Sequence, residues 1–202
     1  MNHSSITPNY SIENKLGGVI LGIDEAGRGS VAGPVVAAGI ILNRNIDVSS
    51  INDSKKLSPK KRELIYNYLI KNCNYVVSSS SVDEIEVINI LEASMLAMRR
   101  VINNIKSTYN YIIVDGNVNP NPSINNLKTI IDGDKISLSI AAASIIAKVT
   151  RDSIMNELDK YSPQYLWYRN KGYGTKHHIN AIKKYGVTSH HRRSFLKKYL
   201  DK

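Results

Sequence analysis

The sequence predicts an α/β domain, with a mixed five-stranded sheet flanked by helices and a helical C-terminal extension. Three observations lead there. Five short runs rich in Val and Ile, bounded by turn residues, read as strands. Longer stretches with apolar residues at helical spacing separate the later runs. The first two runs are joined by a short Gly-rich link, which suits an antiparallel hairpin, and the strands after them alternate with helices.

The elements follow in order. Residues 1–16 are polar, with little pattern, and read as a flexible leader. Residues 17–202 then form a single domain. Gly18–Ile23 is the first strand, and Asp24-Glu25-Ala26-Gly27-Arg28-Gly29 is the turn that ends it. Val35–Leu42 is the second strand, opened by Pro34. Ser58 caps a helix with Pro59 at its first position, and Leu64, Ile65, Tyr68 and Leu69 share one face. Asn74–Ser80 is the third strand. Ser81-Val82-Asp83-Glu84 forms a capping box for one long helix running to about Ile105, whose core stripe is Ile88, Leu91, Met95, Met98 and Ile102.

Tyr111–Val114 is the fourth strand, ending at Asp115. Asn117–Ser123 is a loop, and Lys128–Ile131 is the fifth strand. A long helix spans Ile136–Tyr161, and Pro163 breaks it. Its first turns carry Ala141, Ala142, Ala143 and Ala147, small enough for another backbone to come close. After Gly172-Tyr173-Gly174 come two basic helices, Lys176–Tyr185 and Arg192–Lys202, so residues 161–202 form a basic helical region suited to substrate binding.

Composition narrows the function classes. A chain of 202 residues buries roughly 70% of its unfolded surface and folds without staples. Its single cysteine, Cys73, rules out an internal disulfide framework and fits a reducing compartment. The first fifteen residues lack the apolar core of a signal peptide, and Val31–Leu42 is too short and too interrupted to span a bilayer. The charge is uneven. Of 27 Lys+Arg, ten lie in residues 161–202, against one acid, Asp201. The same segment holds four of the five histidines and six of the twelve tyrosines. A basic, aromatic-rich block is the footprint of a polyanion binder.

The chemistry is carried by acids. Asp24 and Glu25 end the first strand, where a turning backbone lets adjacent side chains serve one site. Asp115 ends the fourth strand, and Asp132-Gly133-Asp134 follows the fifth. Acids at three strand ends would repel and pay desolvation unless a cation lies between them. Oxygen donors with no Cys or His beside them point to magnesium or manganese. Two such ions are a standard device for phosphodiester cleavage. Lys55 and Lys56 stand in a polar loop ahead of a helix. Ser144, Lys148, Arg151 and Asp152 share one face of the long helix, suited to gripping phosphate. Tyr173, held between glycines, is placed to stack on a sugar or base. His177, His178, His190 and His191 lack zinc spacing and are expected at the surface or near phosphate.

At this point the residues resemble a known family. Asp24-Glu25-Ala26-Gly27-Arg28-Gly29, Gly33-Pro34-Val35 and Asp53-Ser54-Lys55-Lys56-Leu57 are similar to bacterial ribonuclease HII. So are Ala142-Ala143-Ser144-Ile145-Ile146-Ala147-Lys148-Val149-Thr150-Arg151-Asp152, Gly172-Tyr173-Gly174-Thr175 and His191-Arg192-Arg193-Ser194-Phe195, all in family order across residues 17–196. The resemblance implies an RNase H-like fold. It implies an endonuclease that cuts RNA in RNA/DNA hybrids and incises 5′ of single ribonucleotides in duplex DNA, leaving 5′-phosphate and 3′-hydroxyl ends. It implies two Mn2+ or Mg2+ ions on Asp24, Glu25, Asp115 and Asp134. Asp134 is taken over Asp132 because the family's fourth acid stands ten residues before the serine matching Ser144. Whether Asp132 or Asp152 assists stays open. Gly27, Arg28 and Gly29 would read the ribose 2′-hydroxyl, Lys55, Ser144 and Lys148 would contact phosphates, and Tyr173 would stack on the following deoxyribose. The implied enzyme is a cytoplasmic monomer without membrane contact. The alternatives are a ribonuclease HIII-like hybrid nuclease, which usually carries a further N-terminal domain, and a non-catalytic nucleic-acid-binding module.

Overall fold

The computed structural model describes residues 7–200. The sheet is built from β1 (Ile20–Ala26), β2 (Val35–Ile41), β3 (Asn74–Ser80), β4 (Tyr111–Asp115) and β5 (Leu127–Ile130). Its strand order is β3-β2-β1-β4-β5. β1, β2 and β3 pair antiparallel, while β4 runs parallel to β1 and β5 parallel to β4, so the sheet is mixed as expected. The carboxyl ends of β1, β4 and β5 therefore share one edge.

The helices are α1 (Ser11–Leu16), α2 (Pro59–Asn72), α3 (Val82–Asn104), α4 (Gly133–Ile136), α5 (Leu138–Tyr161), α6 (Trp167–Asn170), α7 (Lys176–Tyr185) and α8 (Arg193–Leu200). One sheet face carries α5, whose Ala141, Ala142, Ile145 and Ile146 bury with Ala38 and Ile40 of β2. The other carries α3, whose Met95, Met98, Val101 and Ile102 bury against Leu21, Ile23, Ile112 and Val114. Small residues let α5 lie almost on the strand: a Cβ at Gly22 would stand 2.5 Å from the Ser139 carbonyl carbon. A third core joins Val31 and Ala32 to Met155, Tyr165, Trp167, Ile179, Ile182 and Leu196, and so ties the C-terminal helices to the loop after β1.

Several expectations are corrected. The leader is not loose throughout: Ser11–Leu16 is helical, and Glu13 is only 1% exposed. Its Oε1 accepts from the Ser137 hydroxyl (2.7 Å) and the Ser139 amide (2.9 Å), which pins the segment to the start of α5. The first six leader residues lie outside the described residues, as do the last two of the expected C-terminal helix. β1 runs on to Ala26, so Asp24 and Glu25 sit within the strand and not beyond it. The long helix α3 is not continuous. Asn89 takes φ 64°, and its Oδ1 accepts from the amides of Leu91 (2.9 Å) and Glu92 (3.2 Å), capping a second arm inside the helix. The kink turns Leu91 out of the expected core stripe into solvent. Of the four residues expected on the inner face of α2, Ile65 and Leu69 are buried, and Leu64 and Tyr68 are exposed. The expected caps at Ser58 and Ser81 both form, the latter as a reciprocal box with Glu84.

Candidate active site

β1 and β4 deliver the first carboxylates. In the parallel ladder Ile23 pairs with Val114, so the next residues along, Asp24 and Asp115, emerge side by side. Asp115 closes β4, and its Oδ1 accepts from the Gly133 amide (2.7 Å), which holds the start of α4 and with it Asp134. The run Asp132-Gly133-Asp134 is split by geometry. Asp134 is buried at 2% exposure. The Asp132 side chain is 63% exposed, on a left-handed turn (φ 54°), and pairs with Lys135 at 2.7 Å.

The electrostatics of this edge are unfavourable. Burial, then the charges of Glu25 and Asp115, push the Asp24 carboxyl well above the usual carboxylate range. Burial also raises Glu25, against the lowering effect of Arg28, and Asp115 adds to the rise. Asp115 is raised by burial and by Asp134. Two side-chain cations relieve part of the charge: Lys55 Nζ lies 2.9 Å from Asp134 Oδ2, and Arg28 Nη1 lies 3.2 Å from Glu25 Oε1. The nearby Ser144 hydroxyl lowers Asp24 against that rise, and it lies 2.9 Å from the Ser54 hydroxyl, which joins α5 to the loop before α2.

These acids fit a hard divalent cation in donor chemistry: oxygen ligands, mutual repulsion and no thiol or imidazole among them. As they stand, no group of three or more His, Cys, Asp or Glu side chains is drawn together as a ready-made metal site among the described residues. Two of the four carboxylates are instead paired with side-chain cations, Glu25 with Arg28 and Asp134 with Lys55.

The remaining expected contacts surround the acids. Gly27 takes φ +99°, and a Cβ there would lie 2.0 Å from Arg151 Nε, so no side chain fits. Gly29 has open space where a Cβ would stand. The Arg28 carbonyl accepts from Arg192 Nη1 at 3.0 Å. Lys148 pairs with Asp152 (2.8 Å) and stands 5.6 Å from the centre of the Tyr173 ring. Asp152 also approaches Arg62 at 3.9 Å, so its partners are cations and not the acid cluster. Tyr173 is partly exposed on its loop.

Sequence reasoning misplaced or missed a second group. Arg151 was expected on a phosphate-gripping face with Ser144, Lys148 and Asp152, but it is fully buried. It donates to the carbonyls of Pro34 (3.0 Å), Ala32 (3.0 Å) and Lys171 (2.8 Å). Arg192, equally buried, donates to the carbonyls of Gly33, Ser30 and Arg28. Arg62 donates to the carbonyls of Ser54 and Leu57. Three arginines thus grip by their carbonyls the two loops that carry Gly27, Arg28, Gly29 and Lys55. A signal existed for Arg151, because Ala143, Ala147, Arg151 and Met155 fall on one stripe at intervals of four. His178 and His191 are buried and not at the surface; His177 is exposed and His190 half-buried.

Comparison with known proteins places this geometry. The chain matches the family model for ribonuclease HII over residues 21–198. The chain belongs to the ribonuclease HII family. It is 49% identical over 189 residues to ribonuclease HII of Wolbachia sp. subsp. Drosophila simulans (strain wRi), covering 93% of this chain and 95% of that one. To the ribonuclease HII of Rickettsia bellii (strain OSU 85-389) it is 51% identical over 179 residues, covering 89% and 90%. Among solved structures it is similar to the ribonuclease H2 of Pyrococcus horikoshii OT3, at TM-score 0.72 and 27% identity, covering 91% of this chain and 97% of that one. It also resembles a Bst-RNase HIII in complex with Mn2+, at TM-score 0.73 and 17% identity, covering 96% and 73%, which supports the fold. The expected RNase H-like fold is the fold observed. As a ribonuclease HII family member the chain is a hydrolytic nuclease with RNase H activity on RNA. No helix among the described residues is long and apolar enough to cross a membrane.

Proposed function

We propose that this chain cuts RNA in RNA/DNA hybrids and incises on the 5′ side of a single ribonucleotide in duplex DNA, leaving 5′-phosphate and 3′-hydroxyl ends, as a monomer. The observation that carries the reading is the convergence of Asp24, Glu25, Asp115 and Asp134 on one sheet edge, three of them raised by burial and mutual repulsion. These four would hold Mg2+ or Mn2+. When bound, two such ions supply an activated water and a stabilised leaving oxygen.

The chain's own residues position the substrate. The Gly27-Arg28-Gly29 segment offers main chain to the ribose 2′-hydroxyl, because Gly27 admits no side chain and Gly29 has space around it. Lys55, Ser144 and Lys148 hold phosphates. Lys55 is the more exposed of the two lysines and is tethered only at its tip, so it exchanges Asp134 for phosphate when the acids take up cations. Tyr173 presents its ring beside Lys148, where a deoxyribose can stack. The basic helices α7 and α8 add non-specific attraction to the duplex.

The test is a DNA duplex bearing one ribonucleotide, incubated with magnesium or manganese and then with chelator. Incision 5′ of the ribonucleotide, abolished by chelation, is expected. An intact strand beside a cut long hybrid would overturn the single-ribonucleotide reading, and chelator-resistant cleavage would overturn the metal reading.

A further inference from the structure

Behind Tyr173 lies a buried polar chain that the proposed chemistry does not use. His178 Nδ1 lies 2.9 Å from the Tyr173 carbonyl oxygen. Its Nε2 lies 3.0 Å from Trp167 Nε1 and 3.2 Å from His191 Nε2. His191 Nδ1 lies 3.0 Å from both the Thr188 amide nitrogen and the Thr188 hydroxyl. His178 and His191 are buried at 0% and 2% exposure, and Trp167 is buried with them.

The partners dictate every proton. A carbonyl only accepts, so His178 carries its hydrogen on Nδ1. An indole N–H only donates, so His178 Nε2 is bare. The Thr188 amide only donates, so His191 Nδ1 is bare and its hydrogen is on Nε2, aimed at His178. The two imidazoles are therefore neutral and in opposite tautomers, and the chain runs from Thr188 through His191 and His178 to the Tyr173 carbonyl.

That carbonyl is otherwise held only by local turn contacts: it accepts from the Thr175 amide (2.8 Å), while the Tyr173 amide donates to Asn170 O (2.9 Å). Beside it, the Gly172 carbonyl accepts from the Val31 (2.9 Å) and Ala32 (3.1 Å) amides of the third core, so the His178 bond is the side-chain tie that fixes the Tyr173 peptide itself. We infer that His178, oriented by His191 and Trp167, is a positioning residue that sets the Tyr173 loop, and through it the ring, for substrate. This rests on the stacking role given to Tyr173 above.

Amide isosteres test it. His178→Asn keeps a donor near the Nδ1 position, and His178→Gln keeps an acceptor near Nε2 but loses the donor to Tyr173. On the single-ribonucleotide duplex, His178→Gln is expected to lose about tenfold in kcat/KM, the cost of one hydrogen bond. His178→Asn should retain most of the activity. In a Tyr173→Ala background, His178→Gln should change nothing further. Amide hydrogen exchange at residues 172–175 should quicken in His178→Gln and not in His178→Asn. Equal kinetics and equal exchange in the two variants would overturn the inference, as would additivity in the Tyr173→Ala background. If Tyr173→Ala cleaves normally while exchange still separates the variants, the stacking role fails and the positioning stands.

Discussion

Two polar regions lie within this fold, and they treat burial in opposite ways. At the carboxyl edge of the sheet, acids lie near one another, and burial raises Asp24, Glu25 and Asp115, with the neighbouring carboxylates adding to the rise. In the C-terminal core, polar groups are just as deeply buried, but the imidazoles are neutral and every ring nitrogen has a hydrogen-bond partner, with His178 Nε2 shared by the Trp167 and His191 donors. The first region carries like-charge repulsion that a bound cation would offset. The second is satisfied internally and suits holding a loop still. Functional strain and structural order are separated here, the strain on strand ends and the order on the helices behind them.

The largest effect that would sharpen the contrast is at Asp24. Asp24→Asn removes a donor to the proposed ions and should reduce cleavage to background while duplex binding survives. The same change removes a buried like charge, so the thermal midpoint at neutral pH should rise. A variant both inactive and less stable would break the comparison, and calorimetry beside a cleavage assay reads both outcomes.

On the ordered side, Arg151→Met should act in the opposite sense. It leaves the carbonyls of Ala32, Pro34 and Lys171 without their donor. A cost of about 2 kcal/mol or more is expected, since each orphaned buried acceptor costs on the order of 1–3 kcal/mol. Urea unfolding measures it. Activity should fall as well, because Ala32 and Pro34 belong to the loop that follows Gly27 and Lys171 leads into the Tyr173 loop.

Acid titration separates the regions by sign. Burial and the neighbouring histidines lower His191 from 6.5 to about 4. Its unfolded form binds more protons than the folded form between those values, so this contribution is full above about pH 6.5 and is lost as pH falls toward about 4. Asp24 is raised, so its folded form binds more protons than the unfolded form. Its contribution is full at low pH and is lost as pH rises through the folded value. Removing each group in turn should expose the other slope. In Asp24→Asn, stability should fall more steeply below pH 6.5; in His191→Gln, that fall should flatten. Added magnesium should raise stability at neutral pH in the unaltered chain and not in Asp24→Asn. Denaturant midpoints across pH 4–8 read all three.

The two regions also differ in how far the sequence revealed them. Acids after apolar runs are legible because a strand is short, its end is marked, and the edge it reaches follows from the topology. Asp24 and Asp115 were found that way, and the motif spacing separated Asp134 from Asp132. The ordered region was not legible. Nothing local distinguishes His178 from its exposed neighbour His177, and the Trp167 and His191 that bury it come from two other segments. Glu13 was hidden for the same reason: its partners, Ser137 and Ser139, lie more than a hundred residues away. The kink at Asn89 was invisible because the apolar spacing continues through it, and only the backbone angle and the Asn side-chain cap reveal it.

The smallest expected effect tests whether the strained edge has a sharp boundary. Asp132 and Asp134 are separated by one glycine and share a charge, yet only Asp134 is buried and faces Lys55. Asn tolerates the left-handed conformation that Asp132 adopts, so Asp132→Asn changes charge with little backbone cost. It loses only an exposed pair with Lys135, and such pairs contribute little. Cleavage and thermal midpoint should stay at the level of the unaltered chain, while Asp134→Asn loses cleavage. If Asp132→Asn matched Asp134→Asn in activity, the edge would extend to the exposed turn, and burial would not be what selects the working acids.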